Sequence, residues 1–252
     1  MPVAARSPLA PRFHIGTAGW TLPRDYVAQF GNGDSVLARY ATRFNAVEIN
    51  SSFYRPHRQT TYARWAATVP ADFRFSVKMP QEISHVLRLR GTSAALERFL
   101  AEIQGLGNKL GGLLLQLPPS LDFDARVAAS FFGVLRRRTR QAVTCEPRHP
   151  SWFSPAAEAL LQRHGIGRTA ADPARVAEAA TPGGDRRWPY FRWHGTPRIY
   201  YSAYDDQALQ SLAAQAQGVA RGHTPWIIFD NTALGAATGD ALRLAGLLAK
   251  SP

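Results

Sequence analysis

Short apolar runs alternate with longer amphipathic segments along almost the whole chain. The runs predict eight strands: one opening at residue 13 and running into the glycines of 16–19, then 46–50, 73–78, 112–117, 142–146, 165–171, 190–194 and 226–230. Residues 73–78 alternate with period two. Residues 112–117 are apolar apart from Gln116 and stopped by Pro118-Pro119, as suits a strand buried on both faces. Between the strands, helical periodicity covers 35–43 with Asp34 as cap, a segment from Thr60 or Thr61 to before Pro70, 93–104, 124–135, 154–164 opened by Ser154-Pro155, 206–220 and 236–249. The connection between the sixth and seventh strands has no clear helix; its loop, 172–188, contains Pro182-Gly183-Gly184 and is expected to be mobile.

Strand–helix alternation of this kind predicts an α/β protein with a parallel sheet and helical crossovers. The chain has 252 residues, and eight such units in about 250 residues favour closure into a single TIM-like (β/α)8 barrel over an open sheet. The expected domain spans 13–250, preceded by a flexible N-terminal arm, 1–12. Gly16-Thr17-Ala18-Gly19 lacks the spacing of a dinucleotide-binding turn, and no cofactor is predicted.

Composition changes this picture little. Thirty basic residues face 18 acidic ones, a formal charge of +12, and only Lys78, Lys109 and Lys250 are lysines. Such a balance suits an anionic small molecule or nucleic acid as partner. The Arg- and Ala-rich composition is equally that of a high-GC genome. The densest run, Arg136-Arg137-Arg138 with Arg140, falls at a helix end, where cations complement the helix dipole and are expected to be solvated. No apolar run approaches the ~18–20 residues of a membrane span, and the N-terminus has no signal-peptide core. A single cysteine, Cys145, forms no internal disulfide. A cytoplasmic protein without membrane contact is expected; the oligomeric state is left open.

The polar residues inside the apolar strands carry the chemistry. They crowd towards one end, where a barrel's strands stop and its βα loops begin. Period-two spacing puts Glu48 with Asn50 on one strand, Ser76 with Lys78 on the next, Gln116 on the fourth, Glu146 with Arg148 on the fifth, Arg192 with His194 on the seventh, and Asp230 or Asn231 on the eighth. Buried charges need partners, so a mutually paired network is expected, Glu48 and Glu146 facing Lys78, Arg148 and Arg192. Glu48, Lys78, Glu146 and His194 are the catalytic candidates, able to transfer protons or, for Lys78, to bind an anion, act as a base or form a Schiff base. Asn50, Tyr54, Gln116, Arg148, His149, Trp152, Arg192, Asp230 and Asn231 are the ligand-binding candidates, and Trp20, Phe53, Trp193 and Tyr201 are further aromatic candidates for lining the mouth. Glu146 with Arg148 is equally read as a structural ion pair. Cys145 has the opposite parity and is expected under a helix. Glu48, Glu146, His149, His194 and Asp230 lack metal-ligand spacing, and the neighbouring cations oppose a dication, so no metal is predicted.

Six separated motifs resemble the domain-of-unknown-function 72 family, the YecE-like proteins: 15–20 (Ile-Gly-Thr-Ala-Gly-Trp), 47–54 (Val-Glu-Ile-Asn-Ser-Ser-Phe-Tyr), 73–78 (Phe-Arg-Phe-Ser-Val-Lys), 115–119 (Leu-Gln-Leu-Pro-Pro), 146–152 (Glu-Pro-Arg-His-Pro-Ser-Trp) and 192–195 (Arg-Trp-His-Gly). The resemblance implies a TIM-like barrel and no established reaction. This chain departs from the family pattern at Asp230 and Asp240, where asparagines are usual, at Pro147, where phenylalanine is common, and over 21–32, which lacks the usual Trp and Phe-Tyr-Pro pattern. The extra carboxylate at Asp230 alters the charge preference expected of the mouth. The leading expectation is an enzyme or ligand-binding protein for a phosphate- or carboxylate-bearing ligand. A nucleic-acid binding or processing protein resembling phosphodiesterase barrels is the alternative, and a metal-dependent hydrolase or isomerase is the third.

Overall fold

The computed structural model describes residues 13–249, so the predicted arm, 1–12, lies outside the described residues. The elements follow the predicted alternation: β1 (His14–Thr17), α1 (Val36–Tyr40), β2 (Ala46–Ile49), α2 (Gln59–Thr68), β3 (Arg74–Lys78), α3 (Ser93–Ile103), β4 (Leu110–Gln116), α4 (Ala125–Arg138), β5 (Val143–Glu146), α5 (Pro155–Arg163), β6 (Gly167–Arg168), β7 (Ala170–Asp172), β8 (Gly183–Gly184), β9 (Tyr190–Trp193), α6 (Asp206–Val219), β10 (Trp226–Phe229) and α7 (Ala236–Ala249). The result is a mixed α/β fold. Its strands form a four-stranded sheet, β1-β10-β9-β7, and a six-stranded sheet, β2-β3-β4-β5-β6-β8. Every pairing is parallel except β6 with β8.

Two seams separate the sheets. At the first, β1 meets β2 through one parallel bridge, Ala18 with Glu48, and Gly19 N donates to the Glu48 carbonyl at 2.9 Å. Side chains replace the missing ladder. Asn45 accepts from Ile15 N and donates to Phe13 O, while Tyr40 Oη bonds Thr17 N and donates to Ala46 O. The strands run so close here that a Cβ on Gly16 would lie 2.0 Å from the Ala46 carbonyl oxygen. At the second seam the predicted sixth strand divides around Thr169. β6 pairs with β5 in one sheet and β7 with β9 in the other.

Two other expectations change. Ser35, with extended backbone, caps α1 by accepting from Ala38 N, in place of Asp34. Asp124, Ser154 and Asp205 cap α4, α5 and α6. Arg136 is docked rather than solvated: its guanidinium donates to the carbonyls of His164, Gln141 and Gly165. The loop after β7 carries β8 and a turn of 3-10 helix, Ala177–Ala180. Arg168 clamps it, donating to Glu158 and to the Glu178 carbonyl, and Gly184 N donates to Glu158 Oε1 at 2.6 Å.

Period two along the strands sorts the core. One large cluster, including Val47, Phe75, Val77, Leu113, Leu115, Cys145, Phe191 and Phe229, packs with helix residues such as Leu96, Phe132, Leu161 and Leu244. Cys145 is among them, buried as its parity predicted. The opposite parity forms a smaller cluster of Ala18, Ala46, Tyr190, Trp226 and Ile228 with Trp188 against it. Tyr190 and Trp226 stack at 6.1 Å between ring centroids. One residue pair further along β2, β9 and β10, the same parity becomes Glu48, Arg192 and Asp230. The apolar cluster is therefore the floor beneath the charged residues.

Candidate functional site

Arg192 is the hub. It is fully buried on β9, and its guanidinium reaches three carboxylates from three other strands. Nε and Nη2 bond Glu48 from β2 at 3.0 and 2.8 Å, Nη1 bonds Glu146 from β5 at 3.2 Å, and Nη2 lies 3.0 Å from Asp230 Oδ2 beyond β10. The planar, permanently charged fork suits this bridging role. Tyr190 rises from the floor to donate to Glu48 Oε2 at 2.9 Å and is itself bonded to Ser76 Oγ at 2.7 Å. Gln116 Nε2 donates to Glu146 Oε1 at 3.0 Å, and Arg148 Nε donates to the same oxygen at 2.6 Å.

These contacts set the ionisation. Burial alone would raise the Glu146 carboxyl, but Arg148, Arg192 and His194 outweigh it and hold it well below the usual carboxylate range. Asp230 follows the same logic: burial raises it, and Arg192, His194 and Lys78 together pull it below its ordinary value. Burial would lower Arg192, yet Asp230, Glu48 and Glu146 raise it well above the usual arginine range. The Tyr190 hydroxyl is pushed far up by burial and by the Glu48 charge, so it stays a donor.

His194 has a partner for either protonation state. Nδ1 lies 3.0 Å from Asp230 Oδ2, which assigns the proton to that nitrogen. Nε2 lies 3.1 Å from Arg148 Nη2 and 3.2 Å from Glu146 Oε1. Neutral, it accepts from Arg148; protonated, it donates to Glu146. An imidazole satisfied in both forms is suited to carrying a proton.

Lys78 departs from the expected pairing. It ends β3, is 4% exposed, and its ammonium lies 4.1 Å above the centre of the Phe53 ring. Among the described residues Nζ makes no hydrogen bond or ion pair, and it is not one of the fully enclosed unpaired polar atoms, so solvent reaches it. Burial and the Arg192 charge lower its pKa from 10.5 to about 8, against the pull of Glu48, Asp230 and Glu146.

The other candidates sit apart from this network. Tyr54 is 66% exposed on the rim, edge-on to Phe53. His149 caps the short turn Pro150–Phe153 by accepting from Ser151 N. Trp152 is 1% exposed, packs on Phe123 and donates to the Leu121 carbonyl, so it belongs to the core rather than to an accessible wall. Asn231 bonds the Ser202 carbonyl and Asp240, and Arg243 ties Asp240 in turn, which forms a separate network. Asn50 Oδ1 is enclosed without a hydrogen-bond partner among the described residues. Sequence reasoning overlooked Tyr190, although its place two residues before Arg192 on the same parity was a usable signal.

Fold and site together define a parallel-rich α/β protein with a buried charged cluster at the C-terminal ends of its strands. The family model "Protein of unknown function DUF72" matches residues 14–252, and the chain belongs to that family. It is 30% identical over 175 residues to the UPF0759 protein YecE of Escherichia coli K12, a match covering 67% of this chain and 62%, under two thirds, of that protein. It is 23% identical over 196 residues to the UPF0759 protein YunF of Bacillus subtilis 168, covering 72% of this chain and 70% of that protein. Crystal structures of DUF72 family proteins share the fold. One from Enterococcus faecalis V583 has a TM-score of 0.80 at 20% identity, covering 95% of this chain and 96% of its own. One from Thermotoga maritima MSB8 has a TM-score of 0.78 at 23% identity, covering 94% and 99%.

Proposed function

We propose that this protein binds, and acts on, a small phosphate- or carboxylate-bearing ligand at the C-terminal ends of its strands, within a (β/α)8 barrel closed through the Ala18–Glu48 bridge and across Thr169. The observation that carries the ligand reading is the solvent-touching ammonium of Lys78, which lacks a direct counter-ion among the described residues while Arg148 and Arg192 engage the carboxylates around it. An anion entering at Lys78 supplies the missing partner, and His194 beside Arg148 supplies a proton carrier. A cytoplasmic setting fits this reading, and among the described residues no helix is long and apolar enough to cross a membrane.

The test is thermal unfolding with inorganic phosphate or glycolate, in wild type and Lys78→Met, each against its own anion-free baseline. The wild type gains stability with at least one anion and the variant does not. No gain with either anion in the wild type refutes the reading.

Nucleic-acid binding ranks second. It rests on the +12 charge and on an open cavity of about 620 Å³ at the opposite strand ends, lined in part by Arg136, Arg140, Arg163 and Arg187. Two of these are already engaged, Arg136 by carbonyls and Arg187 by Asp185. The metal-dependent reading has weaker support, since among the described residues no group of three or more His, Cys, Asp or Glu side chains is placed to hold an ion.

A further inference from the structure

Lys78 differs from the other cations of the site in what surrounds its terminal atom. Arg192 spends its donors on carboxylates, and Arg148 commits Nε and Nη2 to Glu146 and His194. Lys78 Nζ lies against the Phe53 ring, among the described residues makes no hydrogen bond or ion pair, and keeps contact with solvent. The groups whose charges act on it come from four other parts of the site: Glu48 on β2, Glu146 on β5, Arg192 on β9 and Asp230 after β10. His85, edge-on to Phe53 at 5.0 Å between ring centroids, feels the Lys78 charge. An amine held in a largely desolvated pocket beside another fixed cation is the environment that turns a lysine into a nucleophile. An ammonium kept only to bind anions has no need of the apolar contact.

We propose that Lys78 is a covalent nucleophile that forms an imine with the carbonyl carbon of an anionic carbonyl compound, of the 2-oxo acid class. This rests on, and narrows, the anion-binding reading of the same site. Arg148, whose side chain is 12% exposed and whose Nη1 makes no hydrogen bond among the described residues, takes the ligand's anionic group on that nitrogen and leaves the carbonyl carbon to Lys78. The neutral amine forms a C–N bond to that carbon, and the carbonyl electron pair moves onto oxygen, which takes a proton. The nitrogen then loses a proton, and the resulting carbinolamine is protonated on oxygen. Its C–O bond breaks, water leaves, and the C=N bond remains on Lys78. No oxidant or reductant enters. His194 can give and recover the proton, because both its forms have partners in Asp230, Arg148 and Glu146. The cationic imine withdraws electrons from the adjacent carbon and so activates bonds there for cleavage or proton loss.

The chain is well suited to the test, since Lys78, Lys109 and Lys250 are its only lysines. Lys109 donates to the backbone carbonyls of Val69 and Pro70 and serves as an internal comparison. The full-length protein is incubated with glyoxylate and sodium cyanoborohydride near neutral pH, and peptide mapping locates carboxymethylated lysine. Trapping at Lys78 is expected to exceed that at Lys109, whose ammonium is tied to two backbone carbonyls, by about ten-fold or more, to vanish in Lys78→Met, and to fall when glycolate competes. Equal trapping at all amines, or none at Lys78, overturns the proposal. Glycolate has the anion without the carbonyl, so it separates the two readings. If glycolate stabilises the protein but glyoxylate is not trapped, the imine fails and the anion site stands. If glycolate and phosphate both fail to bind, the anion reading fails as well.

Discussion

Replacing Lys78 by methionine should make the folded protein more stable. An ammonium whose pKa falls from 10.5 to about 8 on folding carries about 3 kcal/mol of unfavourable burial at neutral pH, at about 1.4 kcal/mol per tenfold change in proton affinity. Methionine has similar length and makes a favourable sulfur contact with an aromatic ring such as Phe53. It forfeits the cation–ring attraction, worth about 0.5–2 kcal/mol. The expected net gain is about 2 kcal/mol at pH 7, or roughly 4–8 °C in Tm for a chain of this size.

The pH dependence makes the test specific. Below pH 8 both folded and unfolded wild type hold the proton, so the full penalty applies. Between about 8 and 10.5 the unfolded chain binds more protons than the folded one, and wild-type stability recovers with rising pH. Urea unfolding of both proteins from pH 7 to 10.5 should therefore show a gap that closes towards the alkaline end. A variant less stable than wild type at pH 7, or a gap unchanged across that range, would refute the account of Lys78 as a strained, desolvated amine. A residue that costs the fold this much is better explained by work done at the site than by packing.

Two further outcomes follow from the same structure. Glu146 and Asp230 are held below their ordinary values, so their stabilisation is complete above the unfolded carboxylate pKa of about 4 and is lost as pH falls through the folded values; Glu146→Gln should cost about 3–5 kcal/mol at pH 7 and flatten the acid limb of the urea stability profile, and an acid limb parallel to wild type would contradict this. Gly16→Ala should cost about 1–3 kcal/mol, because the new Cβ meets the Ala46 backbone and also the buried Tyr40 hydroxyl; calorimetry showing a wild-type Tm would mean that the β1–β2 seam yields freely.

The strand–helix alternation, the end of the strands that carries the polar residues and the parity that separates Glu146 from Cys145 were all legible in the sequence. Each follows from a local period, 2 or 3.6, that a chain must keep to bury one face. Resemblance through Val47–Tyr54 and Glu146–Trp152 likewise needed only residue order. What lay beyond local periods needed the tertiary structure. His149 and Trp152 stand beside Arg148 in sequence, yet one caps a turn and the other enters the core, because the chain turns sharply at Pro150. Tyr190 reads as an ordinary strand aromatic until its hydroxyl is found under Glu48, 142 residues away in the chain. The choice of counter-ions was also tertiary. A list of three carboxylates and three cations admits many pairings, and only the convergence of β2, β5, β9 and β10 on one guanidinium decides that Arg192 takes the carboxylates and Lys78 is left with Phe53. Periodicity says which residues face inward; which inward residues meet depends on register and pairing among strands far apart in sequence.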